Sequence, residues 1–287
     1  MTSTDSNLAV GVKQVLFGPL GSGKTGSICT LLKYWDEVPI IPVVLAHDPN
    51  AISTLRNVCE KLNVDFSKIL FYYFPESDSD WSAIHSYMDR VAHLDYDGIS
   101  KMPYTDSKRE MAAPYMNFLF RMMQERIDGV PITNLDPLRY WVFHDGLSHI
   151  TRMSVEMAVG AKPTLHQGEW NVAQKSLITL IKPFVAGRCN YTLISHEERE
   201  VNEISGLQQI TLSAVAKKNA AQVLSLGFGE VAHTSITEKG QFVWQFGARA
   251  PHCLTKTRFF NQLGAEVPAD YGQYLKYLRD YINEQQQ

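Results

Sequence analysis

The sequence predicts an α/β fold, with a mostly parallel central sheet flanked by helices and with antiparallel strands late in the chain. Short apolar runs alternate with patterns of helical period along most of the 287 residues, which is typical of parallel sheets with crossover helices. A glycine-rich stretch joins the first apolar run to the first helical pattern. Two late strand-like runs flank the turn Glu238-Lys239-Gly240, and such a short connection makes the pair antiparallel.

Each expected element follows from its own pattern. The strands are short apolar or β-branched runs bounded by turn residues, and they are expected at 13–17, 40–46, 69–74, 139–144, 190–195, 208–213, 229–236 and 241–247. The helices show apolar residues at three- and four-residue spacing, and they are expected at 24–35, 50–62, 80–94, 107–128, 149–158, 169–186 and 270–284.

The whole chain, 1–287, is interpreted as a single domain with a surface insertion at 95–138. Residues 95–108 are polar and contain glycine and proline, and residues 197–207 are charged and directly follow an apolar strand. Both stretches are therefore expected to be irregular, and both are candidates for mobile functional loops.

Composition excludes few classes of protein. The chain is 45% hydrophobic and 20% charged, which is ordinary for a globular protein. No apolar run approaches the roughly 18 residues of a membrane helix, and the first ten residues lack the pattern of a secretion signal. Four cysteines lie far apart without metal-binding spacing, so we expect reduced thiols in a cytoplasmic protein. The net charge of −3 argues neither for nor against a nucleic-acid partner.

The glycine-rich stretch from residue 18 to residue 25 matches the phosphate-binding spacing G-x-x-x-x-G-K-[ST]. Glycines let the backbone turn and approach a ligand closely, so that successive N–H groups point at phosphate oxygens. Lys24 would reach the β- and γ-phosphates, and the Thr25 hydroxyl would bind Mg²⁺. The alternative is an ordinary glycine turn. The expected nucleotide-binding residues are Gly18, Pro19, Leu20, Gly21, Ser22, Gly23, Lys24, Thr25 and Gly26.

Polar residues follow three of the other expected strands. Asp145 ends the run "RYWVFHD" and is expected to hold Mg²⁺ together with Thr25, although it could instead cap the next helix. Asp48 follows "PVVLAH" and is the first choice as the catalytic carboxylate, but Asp-Pro-Asn is also good helix-entry chemistry. His196 follows "CNYTLIS" and could contact the γ-phosphate or simply end the strand at the surface.

The order of the glycine-rich loop, "AHDPNA", "WVFHDG", "TLISHEE" and "CLTKTR" resembles the RecA-like core ATPases of bacteriophages. These are short relatives of RecA and of the phage single-strand annealing proteins that carry a P-loop. The resemblance covers roughly residues 12–280 and implies a host-cytoplasmic ATPase that uses ATP and Mg²⁺. It implies that Asp48 replaces a catalytic glutamate, and one methylene less would make hydrolysis slow. It also implies that Asp145 is the second Mg²⁺-binding residue and that His196 senses the γ-phosphate.

The same resemblance implies assembly. Lys256 and Arg258 match a basic pair that reaches into the ATP site of a neighbouring subunit, so a homo-oligomer, ring or filament, with ATP at its interfaces is expected. Such a finger is worth about 10³–10⁵ in rate. The alternative for both residues is a solvated basic segment.

The resemblance further implies two DNA-binding loops, at 155–170 and 197–215. The first offers Lys162, His166 and Trp170 as a phosphate and stacking set, although Trp170 could equally begin a helix packed on the sheet. The second starts with four acidic residues, with Lys217 and Lys218 just beyond it.

The function expected from this resemblance is ATP hydrolysis on single-stranded DNA in recombination or annealing. One alternative is a ring-forming P-loop ATPase that remodels or assembles protein, for instance in virus assembly. A small-molecule kinase and a subunit that only binds nucleotide are the others.

Overall fold

The computed structural model describes residues 11–75, 92, 104–159, 166–201, 206, 208–213, 219–247, 252–257 and 266–277, and of residues 104–113 it describes the backbone. The helix predicted at 80–94 lies outside these ranges except for Ala92. Lys162, Lys217, Lys218 and Arg258 also lie outside them.

The described strands lie close to the predicted ones. They are β1 (Lys13–Gly18), β2 (Ile41–Ala46), β3 (Leu70–Tyr73), β4 (Arg126–Ile127), β5 (Val130–Pro131), β6 (Tyr140–Asp145), β7 (Asn190–Val201), β8 (Gln208–Leu212), β9 (Glu230–Ile236), β10 (Phe242–Gln245) and β11 (Glu266–Pro268).

The described helices lie between these strands. The α-helices are Lys24–Ser27, Ala51–Leu62, Tyr104–Gln124, Leu147–Val159, Gln167–Ala186 and Asn219–Leu224, with a further helix over residues 271–277. Short 3-10 helices cover Ile28–Tyr34, Phe66–Lys68 and Ile132–Asn134.

One large sheet organises the described part of the chain. Its strand order is β11-β10-β9-β1-β7-β6-β2-β3, and β8 pairs with the end of β7. The neighbours from β9 to β3 are parallel, whereas β10 is antiparallel to both β9 and β11. The predicted fold class is therefore confirmed. The turn at Glu238–Gly240 joins β9 to β10 as expected.

Successive residues of the central strands are buried on opposite faces of the sheet. In β1, Val15 and Phe17 belong to one buried cluster, whereas Leu16 belongs to the other. The first cluster includes side chains from the helices Leu147–Val159 and Gln167–Ala186, and the second includes side chains from Ala51–Leu62. Burial on both faces explains why these strands are apolar throughout rather than alternating with polar residues.

An aromatic cluster joins the helix at 271–277 to the sheet. Trp141 and Trp244 are fully buried, and their ring centroids lie 5.0 Å and 4.8 Å from that of Tyr271. Tyr274 contacts both tryptophans. Edge-to-face packing of this kind is favourable beyond the area it buries, so the cluster holds the late helix against the same face as the first helix.

Part of the stretch predicted as a surface insertion at 95–138 contributes to the core. Tyr115 and Phe118, in the helix Tyr104–Gln124, are 0% and 2% exposed, and Ile132 and Leu135 are buried as well. The glycine and proline that suggested a surface excursion precede these residues. The described part of this stretch therefore packs against the core through these four side chains.

The prediction of an irregular loop at 197–207 is wrong for its first five residues. β7 continues beyond the apolar run to Val201 and pairs with β8, from Glu197 opposite Leu212 to Val201 opposite Gln208. The charged side chains of this stretch show no apolar pattern from which a strand could be predicted. A two-stranded ribbon outside the core can nevertheless form its hydrogen-bond ladder without apolar residues.

Candidate nucleotide-binding site

The glycine-rich loop leaves β1 at Gly18 and enters the helix at Lys24. Gly21 and Gly23 have φ of 75° and 81°, in the left-handed region that favours glycine. Gly18 is needed for a different reason, because a Cβ atom there would lie 2.3 Å from Thr234 Oγ1 and 2.5 Å from the Thr234 carbonyl oxygen. Backbone conformation and close approach to β9 therefore explain the three glycines of the motif.

The Lys24 side chain folds back over this loop. Its Nζ donates hydrogen bonds to the carbonyl oxygens of Gly18 (2.9 Å) and Pro19 (2.7 Å), and the Ser22 hydroxyl donates to the same Pro19 oxygen at 2.8 Å. Burial lowers the pKa of Lys24 to about 8, against the opposing effects of Asp145 and Glu197. A phosphate group would replace the two carbonyls as the acceptor for this ammonium group.

The side chains of Thr25 and Asp145 are in contact at the edge of the sheet where β1 and β6 end. The Thr25 hydroxyl donates to Asp145 Oδ2 at 2.7 Å, because β1 and β6 are parallel and end at the same edge. Burial raises the pKa of Asp145 to about 6, with Asp48 adding to this effect and Thr25 and Lys24 opposing it. The helix that follows uses the Gly146 carbonyl as acceptor for its first N–H groups. The described contact of the Asp145 carboxylate is thus with Thr25 rather than with the helix.

These oxygens suit a hard divalent cation. A hydroxyl and a carboxylate are ligands that Mg²⁺ accepts, with phosphate and water oxygens completing its octahedron. Among the described residues no group of three or more His, Cys, Asp or Glu side chains could hold a metal ion.

Asp48 has a structural contact and also lies near the other polar groups. Its Oδ1 accepts a hydrogen bond from the Asn50 N–H at 2.8 Å, and its carbonyl accepts from the Ala51 N–H. The helix begins at Ala51 with Asn50 as its N-cap, so Asp48 forms the turn into the helix. It remains half-exposed, and its charge raises the pKa of Asp145.

His196 lies within β7, the strand next to β1, and is opposite Gly18. It is half-buried, and its backbone N–H donates to Ser148 Oγ. Burial lowers its pKa, the charges of Lys24 and His149 lower it further, and Asp48 opposes them. Lys24 and Asp48 are therefore each within electrostatic range of His196. His149 was missed from the sequence, although its position four residues after Asp145 on a helix start was a usable signal.

A second missed feature is a chain of buried polar rings beneath the strand ends. The Nε2 atoms of His47 and His144 are 3.2 Å apart, and His144 Nδ1 is 3.2 Å from the Tyr191 hydroxyl. Both histidines are fully buried, and burial lowers the pKa of each. One neutral ring must donate and the other accept. Each histidine immediately precedes a candidate site carboxylate, so the pair fixes the ends of β2 and β6 relative to each other.

The Glu197 carboxylate is hydrogen-bonded to two basic side chains. Its two carboxylate oxygens accept from His233 Nε2 at 2.9 Å and from Arg199 Nε at 2.8 Å. Burial raises its pKa, but the contacts with His233 and Arg199 outweigh burial and lower it. His233 lies on β9, beyond β1, so this pair spans the strand that leads into the glycine-rich loop.

Lys256 lies at the other edge of the sheet. Its backbone pairs with Val231, near the start of β9, and its Nζ donates to the Phe228 carbonyl at 3.3 Å. The glycine-rich loop follows the opposite end of the parallel strand β1. Lys256 is thus held beside the start of β9, where its backbone and side chain both have partners.

The first predicted DNA-binding loop, 155–170, is largely helical where it is described. Residues up to Val159 and from Gln167 onward belong to helices. His166 precedes the second helix, with its N–H donating to the Glu169 carboxylate. Trp170 lies in the first turn of the second helix and is half-buried against the core, as the alternative interpretation expected.

No family model and no curated protein matches the sequence. Among solved structures, the chain is similar to a prototypical ATPase from the type III secretion system of pathogenic bacteria, with a TM-score of 0.40 and 12% identity over 88% of the chain. The chain spans 58% of the length of that ATPase chain.

None of the described helices is both long enough and apolar enough to cross a membrane.

Proposed function

We propose that the protein is a Mg²⁺-dependent P-loop ATPase with a RecA-like core. The observation that carries this proposal is a contact between residues that follow two separate strands. The Thr25 hydroxyl, directly after the loop that follows β1, lies 2.7 Å from the carboxylate of Asp145 at the end of β6. The loop, the lysine and the paired oxygens together provide phosphate binding and cation binding at one place.

Each residue has a separate task in this proposal. Bound MgATP supplies the γ-phosphoryl group and the cation that neutralises its charge. Lys24 binds the terminal phosphates, while Thr25 and Asp145 hold the cation. Asp48 accepts a proton from the attacking water, which its half-exposed position permits. His196 donates to the γ-phosphate and, because it begins the ribbon formed by β7 and β8, connects the nucleotide to that ribbon.

We further propose that ATP lies between subunits of a homo-oligomer. Lys256 and Arg258 are the residues assigned to the neighbouring site. The assignment is supported by the resemblance of "CLTKTR" to the segment that carries this basic pair in RecA-like ATPases.

Single-stranded DNA is the proposed target of the ATPase, bound through residues 155–170 and 197–215. A specific observation favours the second candidate, an ATPase that remodels or assembles protein. The ribbon that replaces the second loop carries Glu197, Glu198 and Glu200 within four residues, and carboxylates repel a phosphate backbone.

ATP binding and turnover by Lys24→Ala test the site. The variant is expected to lose both activities, because no other described lysine lies in the loop. Lys61→Ala is the matched control, since Lys61 is exposed on the helix Ala51–Leu62 and should behave as wild type. Normal turnover by Lys24→Ala would refute the proposed site.

The target is tested by repeating the turnover assay with single-stranded DNA while measuring the mass of the assembly. Stimulation of turnover and a mass above the 32.5 kDa of one chain are expected. Turnover that is indifferent to DNA, in an assembled protein, would favour the protein-remodelling alternative.

A further inference from the structure

An exposed aromatic ring lies directly on the glycine-rich loop. A Cβ atom at Gly23 would lie 2.6 Å from both Cγ and Cδ1 of Phe242. The ring therefore contacts the backbone immediately before Lys24. Phe242 nevertheless keeps 46% of its surface exposed, so packing on the loop does not use the whole side chain.

The ring is held in place by the sheet. Phe242 begins β10, lies opposite Ile236 of β9, and its carbonyl accepts a hydrogen bond from the Ala269 N–H at 3.0 Å. Ile236 is itself 51% exposed. Two large apolar side chains are thus presented together at the rim of a polar loop, on a backbone that strand pairing makes rigid.

The position of this ring is opposite to that of the cation-binding oxygens. β6, which ends in Asp145, lies on one side of β1 in the sheet, whereas β9 and β10 lie on the other. A nucleotide with its terminal phosphate near Thr25 and Asp145, and with its other phosphates along the loop, directs its nucleoside end toward Phe242.

We propose that Phe242 is the platform on which the nucleobase of a bound nucleoside triphosphate stacks, an inference that rests on the proposed ATPase function. Stacking on an aromatic face is sequence-tolerant because every base has a π-face. The larger purines gain more contact than pyrimidines do. Phe242 thus favours purine over pyrimidine nucleotides, and it acts on binding rather than on the reacting phosphate.

The experiment compares two ligands that share phosphates but differ in the base. Isothermal titration with MgATP and with Mg²⁺-tripolyphosphate is carried out on wild type, Phe242→Leu and Phe242→Tyr. For Phe242→Leu we expect MgATP binding to weaken roughly 5- to 100-fold, with tripolyphosphate binding unchanged. Phe242→Tyr keeps the aromatic face and should bind both ligands as wild type does.

Phe120→Leu is the matched control, because Phe120 is 59% exposed on the helix Tyr104–Gln124, away from the loop, and should leave both affinities unchanged. Thermal unfolding of each variant checks that the fold is intact. Equal weakening of both ligands by Phe242→Leu would mean that the ring only shapes the loop, and would overturn the inference. Unchanged MgATP binding would overturn it too, while leaving the ATPase proposal intact. Failure of wild type to bind either ligand would instead overturn both.

Discussion

Lys24, the residue proposed to bind the phosphates, is hydrogen-bonded to the glycine-rich loop. Its ammonium group bonds two loop carbonyls, and the Ser22 hydroxyl bonds one of them. In the proposed function, a bound phosphate would replace these carbonyl oxygens as the acceptor for the ammonium group. Asp48 both shapes a turn and acts through its charge on Asp145.

Asp48→Asn separates these two roles. The amide oxygen of asparagine can still accept the Asn50 N–H, so the turn and ATP binding should remain. An amide cannot accept a proton from water, so turnover should fall by about 10²–10⁴, as for loss of a general base. Single-turnover hydrolysis and ATP titration measure the two effects. Loss of ATP binding would assign Asp48 a structural role instead.

The strands β1 and β9 are in close contact at the point where the glycine-rich loop begins. Gly18 has no room for a side chain because the Thr234 backbone and hydroxyl occupy that space. The contact positions β9, whose next hairpin carries Phe242 over the loop.

Gly18→Ala should destabilise the protein by about 1–3 kcal/mol, since an added methyl group in a closed contact forces the strands apart. Gly168→Ala is the matched control: it lies in the helix Gln167–Ala186, and an added Cβ there meets nothing within 4 Å. That change should be neutral or stabilising by up to about 1 kcal/mol. Urea unfolding of both variants gives the comparison, and similar midpoints would contradict the close contact at Gly18.

The sequence predicted most strands closely but missed the short strands β4, β5 and β11 and the extension of β7. β1, β2 and β6 were placed within one or two residues, because burial on both faces makes each an apolar run bounded by turn residues. The extension of β7 to Val201 was missed, because a ribbon outside the core has no such run.

Within the candidate site, the loop was predicted from spacing and the Thr25–Asp145 pair from strand ends. The contacts of His47 with His144 and of Glu197 with His233 were not predictable. They depend on which strands are neighbours, and the strand order of the sheet does not follow the chain.

For the whole molecule, the buried histidine pair makes stability depend on pH. Burial lowers the pKa of His144 to about 3 and that of His47 well below 6.5. In the unfolded chain both rings bind protons below about pH 6.5. The unfolded state therefore gains protons that the folded state does not, and the stabilising effect present above that pH is lost as the pH falls.

We expect the free energy of unfolding to fall below pH 6.5 by up to about 1.4 kcal/mol per pH unit for each ring. His144→Gln should flatten this dependence, although it lowers stability at neutral pH by removing a buried partner. His166→Asn, at an exposed helix start, preserves the cap and should keep the wild-type slope. Urea titrations between pH 4 and 8 in the presence of a chelator measure the slopes, and equal slopes for wild type and His144→Gln would disprove the assignment.

The aromatic cluster of Trp141, Trp244, Tyr271 and Tyr274 has an optical consequence. Two of the five tryptophans are shielded from water and packed edge-to-face with tyrosine rings. Their fluorescence emission should therefore be blue-shifted in the folded protein and should move to longer wavelength on unfolding. Because these rings line the same face as the first helix, the protein contains an intrinsic fluorophore that reports on that face without any attached dye.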